Sequence, residues 1–280
     1  MAGFFGLMNL TSAATIKEIL QKHGRRPNKG LGQNFLIDKN ILDKIVQAAN
    51  IKNTDTVLEV GPGIGTLTQE LAQKAKRVIA VEKDKSMIEI LAETLSGFTN
   101  VEVINNDILK IEQSLPAGYK LVANIPYYLT SPLIRLFLEA QSKPKEIVLL
   151  VQKEVAQRIC SKPGDMSLLA VSVQFYANCE IVFNVSKNSF WPIPKVDSAI
   201  IKIIPAEKYK ISAELFFKVV KAGFSHPRKQ LIGNLSGQLN LPKEQVKDWL
   251  LKNNINSAQR AETLSVEDWV VLAKSFPNCE

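Results

Sequence analysis

The chain has 280 residues, 46% of them hydrophobic, enough for one large domain with a sizeable core and a small second one. Its 35 Lys and Arg outnumber 27 Asp and Glu, and the net charge of +8 suits a polyanionic partner without requiring one. Cys160, Cys179 and Cys279 form neither a metal-ligand spacing nor a disulfide framework, which fits a reducing, intracellular setting, and no apolar run approaches the roughly 20 residues of a membrane span.

The first ten residues are apolar but lack a charged lead and a small-residue cleavage site, so they do not read as a signal peptide. Ile16, Ile19 and Leu20 are spaced as one face of a short helix over residues 15–23, stopped by Gly24. Lys22, Arg25, Arg26 and Lys29 follow with no acidic residue among them, in a stretch that Pro27 and Gly30 make a loop. It reads either as a phosphate-contacting arm or as a solvated one. After Gly32-Gln33-Asn34-Phe35-Leu36, Asp38 reads as the N-cap of a helix burying Ile41, Ile45 and Val46.

From Thr56 strands alternate with helices. Strands are predicted at 56–60, 77–82, 101–105, 120–125, 146–152, 180–185 and 199–204. Helices at 67–73, 87–95 and 132–140 fill gaps, the last opening on a Ser131 cap with Pro132 at its first position. This alternation predicts a parallel sheet covered on both faces, its last two strands close enough to pair antiparallel. After Pro205 the strand signal stops. Phe216, Phe217, Val220 and Phe224 fit one helix face, and Leu231, Leu235 and Leu239 a second. Val246, Trp249 and Leu250 fit a third, and Val266, Trp269 and Val270 a fourth, with Ser265 and Asp268 as a capping box. A small helical domain therefore begins near residue 207.

The chemistry gathers at strand ends. Glu59-Val60-Gly61-Pro62-Gly63-Ile64-Gly65 is a strand-to-helix turn whose glycines let backbone approach a ligand. Its G-x-G-x-G spacing is neither the dinucleotide fingerprint nor a P-loop. Glu82 ends the second strand 21 residues after Gly61, where a carboxylate can accept from ribose hydroxyls. Asp107 follows the third strand and can accept from an adenine amine. Each taken singly also reads as a cap or turn residue. In Asn124-Ile125-Pro126-Tyr127, proline turns the preceding carbonyl away from the sheet. The Asn124 oxygen and the Ile125 carbonyl then form two acceptors for an amino group, and Tyr127 offers a flat face. A strand ending in a proline turn with a packed tyrosine is the plainer alternative.

These residues resemble a class I S-adenosylmethionine-dependent methyltransferase acting on the exocyclic amine of adenine. More narrowly, the chain resembles the small-subunit (16S) ribosomal RNA adenine N6,N6-dimethyltransferase family from Thr15 to Trp269. Residues 29–36, 59–65, 81–82, 107, 124–127, 151–156, 190–198 and 260–262 carry the likeness. It implies a Rossmann-like seven-stranded sheet, mostly parallel with one antiparallel strand, and a small all-α C-terminal domain. The implied parts are an N-terminal helix and basic arm (1–29), a methyltransferase domain (30–206) and an RNA-binding helical domain (207–280). By the same resemblance Asn34, Leu36 and Asn124 border the cofactor, S-adenosyl-L-methionine. Gly61 and Gly63 approach its methionine part, Glu82 its ribose and Asp107 its adenine. Asn124 and the Ile125 carbonyl, fixed by Pro126, orient the target amine, and Tyr127 and Phe190 sandwich the flipped base. Arg25, Arg26, Lys29, Lys195, Arg228 and Lys229 are the candidate RNA contacts.

The implied reaction is dimethylation of two adjacent adenosines near the 3′ end of small-subunit ribosomal RNA, naked or in an immature subunit, by a cytoplasmic, metal-free monomer. Three single residues and one three-residue stretch depart from the family's pattern. Ile125 matches the sibling family that methylates large-subunit RNA, Tyr128 stands where Asn is frequent, Pro227 replaces a basic residue, and Gly164-Asp165-Met166 differs from the usual pattern. The alternatives are that large-subunit activity, or a non-catalytic RNA-binding assembly factor on the same fold; glycine spacing argues against a nicotinamide oxidoreductase.

Overall fold

The computed structural model describes residues 8–110 and 115–277. Residues 1–7 of the apolar N-terminal stretch, and Cys279, lie outside them, as does the Lys29 side chain. Helix α1 (Ala13–Lys22) starts on Ser12, whose hydroxyl accepts from Thr15 N, and buries Ile16, Ile19 and Leu20. Strand β1 (Phe35–Leu36) precedes α2 (Lys39–Ala48), whose first turn is capped by the Asp38 carboxylate accepting from Asn40 N and Ile41 N. Leu42 rather than Ile41 completes its buried face, because residue 42 stands three and four positions before Ile45 and Val46.

The main sheet holds β2 (Thr56–Val60), β3 (Arg77–Glu82), β4 (Val101–Asn105), β5 (Lys120–Asn124), β6 (Glu146–Gln152) and β7 (Ala177–Val185). After the short β8 (Phe190–Trp191), β9 (Ser198–Pro205) completes the seven in the order β4-β3-β2-β5-β6-β9-β7. The pairs β2–β3, β3–β4, β2–β5 and β5–β6 are parallel, and β9 runs antiparallel to β6 from Ile147↔Ile203 to Gln152↔Ser198. The last strand in sequence is thus inserted between two earlier ones. Strands run outward from β2 to β4, and β5 then returns to the other flank of β2. That reversal is a topological switch point, where ligands bind at the strands' carboxyl ends. The connecting helices include α3 (Thr66–Ala72), α4 (Lys85–Thr94) and α5 (Thr130–Glu139).

Local differences from the sequence reading have local causes. Strand β5 stops at Asn124, before Ile125, because Pro126 has no N–H with which to continue a ladder. Helix α5 starts at Thr130 without the Ser131 cap. A 3₁₀ turn over Tyr127–Leu129 runs straight into it, held by Leu129 N to Pro126 O at 2.9 Å and by the Thr130 hydroxyl to Tyr127 O at 3.0 Å. A second, two-stranded sheet was not legible. Strands β1 and β8 pair antiparallel, Phe35 opposite Trp191 and Leu36 opposite Phe190.

The chain divides into two compact units. One holds the described residues up to Ala156 with Glu180–Pro205, and the other holds 157–179 with the described residues from Ala206. Residues 157–179 therefore leave the 30–206 grouping read from sequence and join the helices. The reason is α7 (Leu168–Tyr176), following α6 (Lys153–Ile159): its Ala170, Val171 and Phe175 enter one core with Phe216, Val220 and Trp269. That core also collects α8 (Ala213–Gly223), α9 (Leu231–Leu239), α10 (Lys243–Lys252) and α11 (Val266–Lys274). Gly223 lies so close to the Trp269 ring that a Cβ would stand 2.2 Å from it, so only glycine fits there. The capping box of Ser265 and Asp268 opens α11.

At the amino end of the strands, Lys120 is 9% exposed and donates to Ala49 O and Asn50 O, both at 2.8 Å. Its ammonium also lies 3.2 Å from Asp55 and 3.7 Å from Glu146, so one cation closes the carboxyl end of α2 and ties it to the sheet. Lys120→Met removes the cation from two carbonyls and the Asp55 carboxylate, while Glu146 keeps Lys202 at 2.7 Å. A loss of about 3 kcal/mol is expected from the denaturant midpoint.

Candidate functional site

A cleft of about 1180 Å³, counting its open mouth, lies at the carboxyl ends of β2, β3 and β5. It is lined by Asn34, Leu36, Gly61, Gly63, Glu82, Asp107, Asn124, Ile125, Pro126, Tyr127 and Phe190, so every residue named from sequence for cofactor or target base meets in one place. Gly61, Gly63 and Gly65 all have positive φ. At Gly63 (φ +60°) a Cβ would also come within 3.3 Å of the Phe35 ring, so the bare backbone is required. Glu82 holds this loop in place: one carboxylate oxygen accepts from Gly63 N at 3.1 Å, the other from Asp84 N at 2.8 Å. Burial pushes the Glu82 carboxyl above its usual range, and those two N–H donors oppose the shift.

Three segments close on one another at the end of β5. Pro126 packs against Gly32 and Gly61, at 3.4 Å and 3.9 Å from where their Cβ atoms would be. Asn124 Nδ2 donates to Asn34 O at 3.4 Å, a long bond that leaves Oδ1 as the amide's acceptor. The Tyr127 hydroxyl is 2.9 Å from Ser198 Oγ at the start of β9. Phe190 is only 1% exposed, so it is a core ring that also forms cleft wall. Asp107 accepts from Leu109 N at 3.1 Å and pairs with Lys83 Nζ at 2.9 Å, which holds its carboxyl below the usual range.

The basic residues named for RNA do not line the cleft. Arg25, Arg26 and Lys195 are exposed on the sheet-bearing unit, and Arg228 and Lys229 on the helical one. The sequence reading assigned no role to Glu59, Lys83 or Tyr128, all on the cleft wall. A carboxyl inside the apolar run Val57-Leu58-Glu59-Val60 was the available signal for the first. Glu59 is 1% exposed, and its Oε2 has no hydrogen-bond partner among the described residues. Burial pushes its carboxyl up to about 8; the Glu82 charge adds to this, and the nearby Thr68 hydroxyl opposes it without completing a hydrogen bond.

A seven-stranded sheet in this order, with its cleft at the β2/β5 reversal, defines a class I methyltransferase fold. Residues 24–277 match the family described as Ribosomal RNA adenine dimethylase. A ribosomal RNA small subunit methyltransferase A of Alkaliphilus oremlandii is 45% identical over 95% of this chain and 98% of its own. Among solved structures, a dimethyladenosine transferase of Plasmodium falciparum is 32% identical, with a TM-score of 0.72 over 85% of this chain and 95% of that one. The 23S rRNA methyltransferase ErmE is 29% identical, with a TM-score of 0.72 over 86% and 99%. The chain belongs to the ribosomal RNA adenine dimethylase family.

A carboxyl raised from 4.5 to about 8 stays protonated in the folded chain across a range where the unfolded chain has ionised it. The Glu59 contribution to stability therefore falls as pH rises from about 4.5 toward 8. In Glu59→Gln, thermal unfolding midpoints measured across that window are expected to fall less steeply, with part of the slope left to Glu82.

Proposed function

We propose that this chain transfers methyl groups from S-adenosylmethionine to N6 of two adjacent adenosines near the 3′ end of small-subunit ribosomal RNA, during assembly of that subunit in the cytoplasm. The observation that carries the reading is the Asn124 amide, its Oδ1 left as an acceptor beside Pro126 and Tyr127, in the same cleft as the left-handed glycine loop. A non-catalytic binder has no use for acceptors set for an amine. The high identity to a small-subunit enzyme over nearly both full lengths favours that target over the large-subunit one to which Ile125 points.

The cleft suits the cofactor's chemistry. The loop at Gly63 has no room for a side chain, Glu82 and Asp107 are carboxylates for hydroxyl and amine donors, and Glu59 Oε2 is a buried polar atom still without a partner. Gly61, Gly63, Glu82 and Asp107 would hold it, with Asn34 and Leu36 alongside. When bound, S-adenosylmethionine supplies an electrophilic methyl on a sulfonium and leaves as S-adenosylhomocysteine. The chain's task is then orientation, because the adenine amine is a weak nucleophile with its lone pair delocalised into the ring. Asn124 Oδ1 and the Ile125 carbonyl accept the N6 hydrogens and stabilise positive charge growing on that nitrogen. Each transfer forms one N–C bond and releases one N6 proton to solvent. Tyr127 and Phe190 hold the base ring. Arg25, Arg26, Lys29, Lys195, Arg228 and Lys229 contact phosphate, the last two from the helical unit.

Labelled methyl transfer to unmethylated small-subunit particles, followed by mapping, tests this. Two methyls on each of two neighbouring adenosines are expected; labelling of large-subunit RNA alone, or of none, overturns it. In Asn124→Ala, turnover should fall about 100-fold or more while cofactor affinity stays within a few-fold. Equal loss of both would remove Asn124 from the amine's coordination.

A further inference from the structure

Resting on the reading that an adenosine of RNA is everted into this cleft, we infer that Tyr128 is the stacking platform for the nucleotide next to it. Tyr127 and Tyr128 are neighbours on one turn with opposite environments. Tyr127 is half-buried and tied to Ser198. Tyr128 is 58% exposed, with no hydrogen-bond partner and no stacked ring among the described residues, yet it lines the cleft. Its backbone is not loose. The 3₁₀ turn is closed by Leu129 N on Pro126 O, the Thr130 hydroxyl bonds Tyr127 O, and the Leu129 and Thr130 side chains are buried. The ring is thus offered to solvent from a fixed base, which lowers the ordering cost of binding against it.

The rest of the rim has matching chemistry. Leu109 on the cleft wall is an exposed apolar side chain. Lys83, exposed on the same wall, is held there by its pair with Asp107 at 2.9 Å, and Lys110 is exposed just after Leu109. A flat apolar face flanked by ammonium groups takes a nucleotide by its base and its phosphate. A nucleotide joined to a base held at Tyr127 has to leave the cleft across this rim, where Tyr128 and Leu109 line the same opening. A substrate with two adjacent targets gives that ring a purpose: each adenosine rests on it while the other occupies the cleft.

The test compares Tyr128→Ala, Tyr128→Phe and Tyr128→Trp on unmethylated small-subunit particles, with S-adenosylhomocysteine affinity measured by calorimetry on each. In Tyr128→Ala, Kd and KM for the particle should rise about tenfold or more. Particles modified at one adenosine should accumulate, and S-adenosylhomocysteine affinity should not change. Phe and Trp, which keep a ring, should restore RNA affinity. Unchanged RNA affinity in Tyr128→Ala, or no rescue by Phe, overturns the inference. So does a parallel loss of S-adenosylhomocysteine affinity, which would make Tyr128 a wall of the cofactor site. If Tyr128→Ala does not fold, Tyr128→Gln carries the same comparison. A wild-type chain that methylates no adenosine defeats the proposed function itself, whereas an active wild type with an indifferent Tyr128→Ala defeats only this inference.

Discussion

The Glu82 carboxylate makes the ends of two neighbouring strands act as one surface. It sits at the last position of β3, and its oxygens accept from Gly63, in the loop after β2, and from Asp84, at the start of α4. Gly61 N–H adds a bond to Val81 O. The loop's glycines are free in φ, and its shape is fixed by Ile64, packed in the core, by the Thr94 hydroxyl donating to Ile64 O at 2.9 Å, and by Glu82. Glu82's part in that order comes from a carboxyl whose burial is unfavourable unless those N–H donors point at it.

The opposite wall depends on a pairing that spans most of the chain. Strands β1 and β8 exchange only two residues each, but their neighbours extend the junction. Ile37 N donates to Ser189 O at 2.9 Å, and the Ser189 hydroxyl lies 3.0 Å from the Asp38 carboxylate that also caps α2. Phe35 stacks on Trp191 with ring centres 6.4 Å apart, and Lys17 of α1 stands 5.5 Å from the Trp191 ring centre. The Phe35 ring also lies against Gly63, where a Cβ would come within 3.3 Å of it. An N-terminal helix, a segment ahead of the sheet and a loop late in the chain thereby reach the glycine loop through one aromatic ring.

What was legible in the sequence follows from how far each signal reaches along the chain. Strands of five or more residues with an apolar run, the Asp38 cap and the Ser265–Asp268 capping box are set by near neighbours, and their residues could be read directly. The motif ends meet because a parallel sheet presents all its carboxyl ends together. Two-residue strands have no period to detect, so β1 and β8 were invisible until paired. The Ser131 cap failed because a 3₁₀ turn, itself local, claimed the preceding residues first. Residues 157–179 were misgrouped because α7 is apolar on nearly all sides, and a helix of that kind does not declare which core it enters. The Lys83–Asp107 pair and the lone Glu59 oxygen depend on where side chains end, which no spacing rule reports.

Phe190 connects the core to the proposed chemistry. Its ring belongs with Leu36, Leu42, Val122, Val148 and Ile200 in the packed interior, and it also closes the cleft. A ring held that way cannot adjust to what it meets. Tyr127 is similarly fixed, by its hydroxyl on the buried Ser198 at the head of the antiparallel strand β9. If these two rings grip a purine, selection for a flat base is fixed by the shape of the core before any RNA arrives. The adjustable element is then Asn124. Its side chain is half-exposed, and its bond to Asn34 O, at 3.4 Å, is the longest among the cleft's polar contacts described above. A rigid grip on the ring and a compliant contact to the amine are what successive methylations of one nitrogen need, because the base keeps its shape while the amine grows by one methyl at a time.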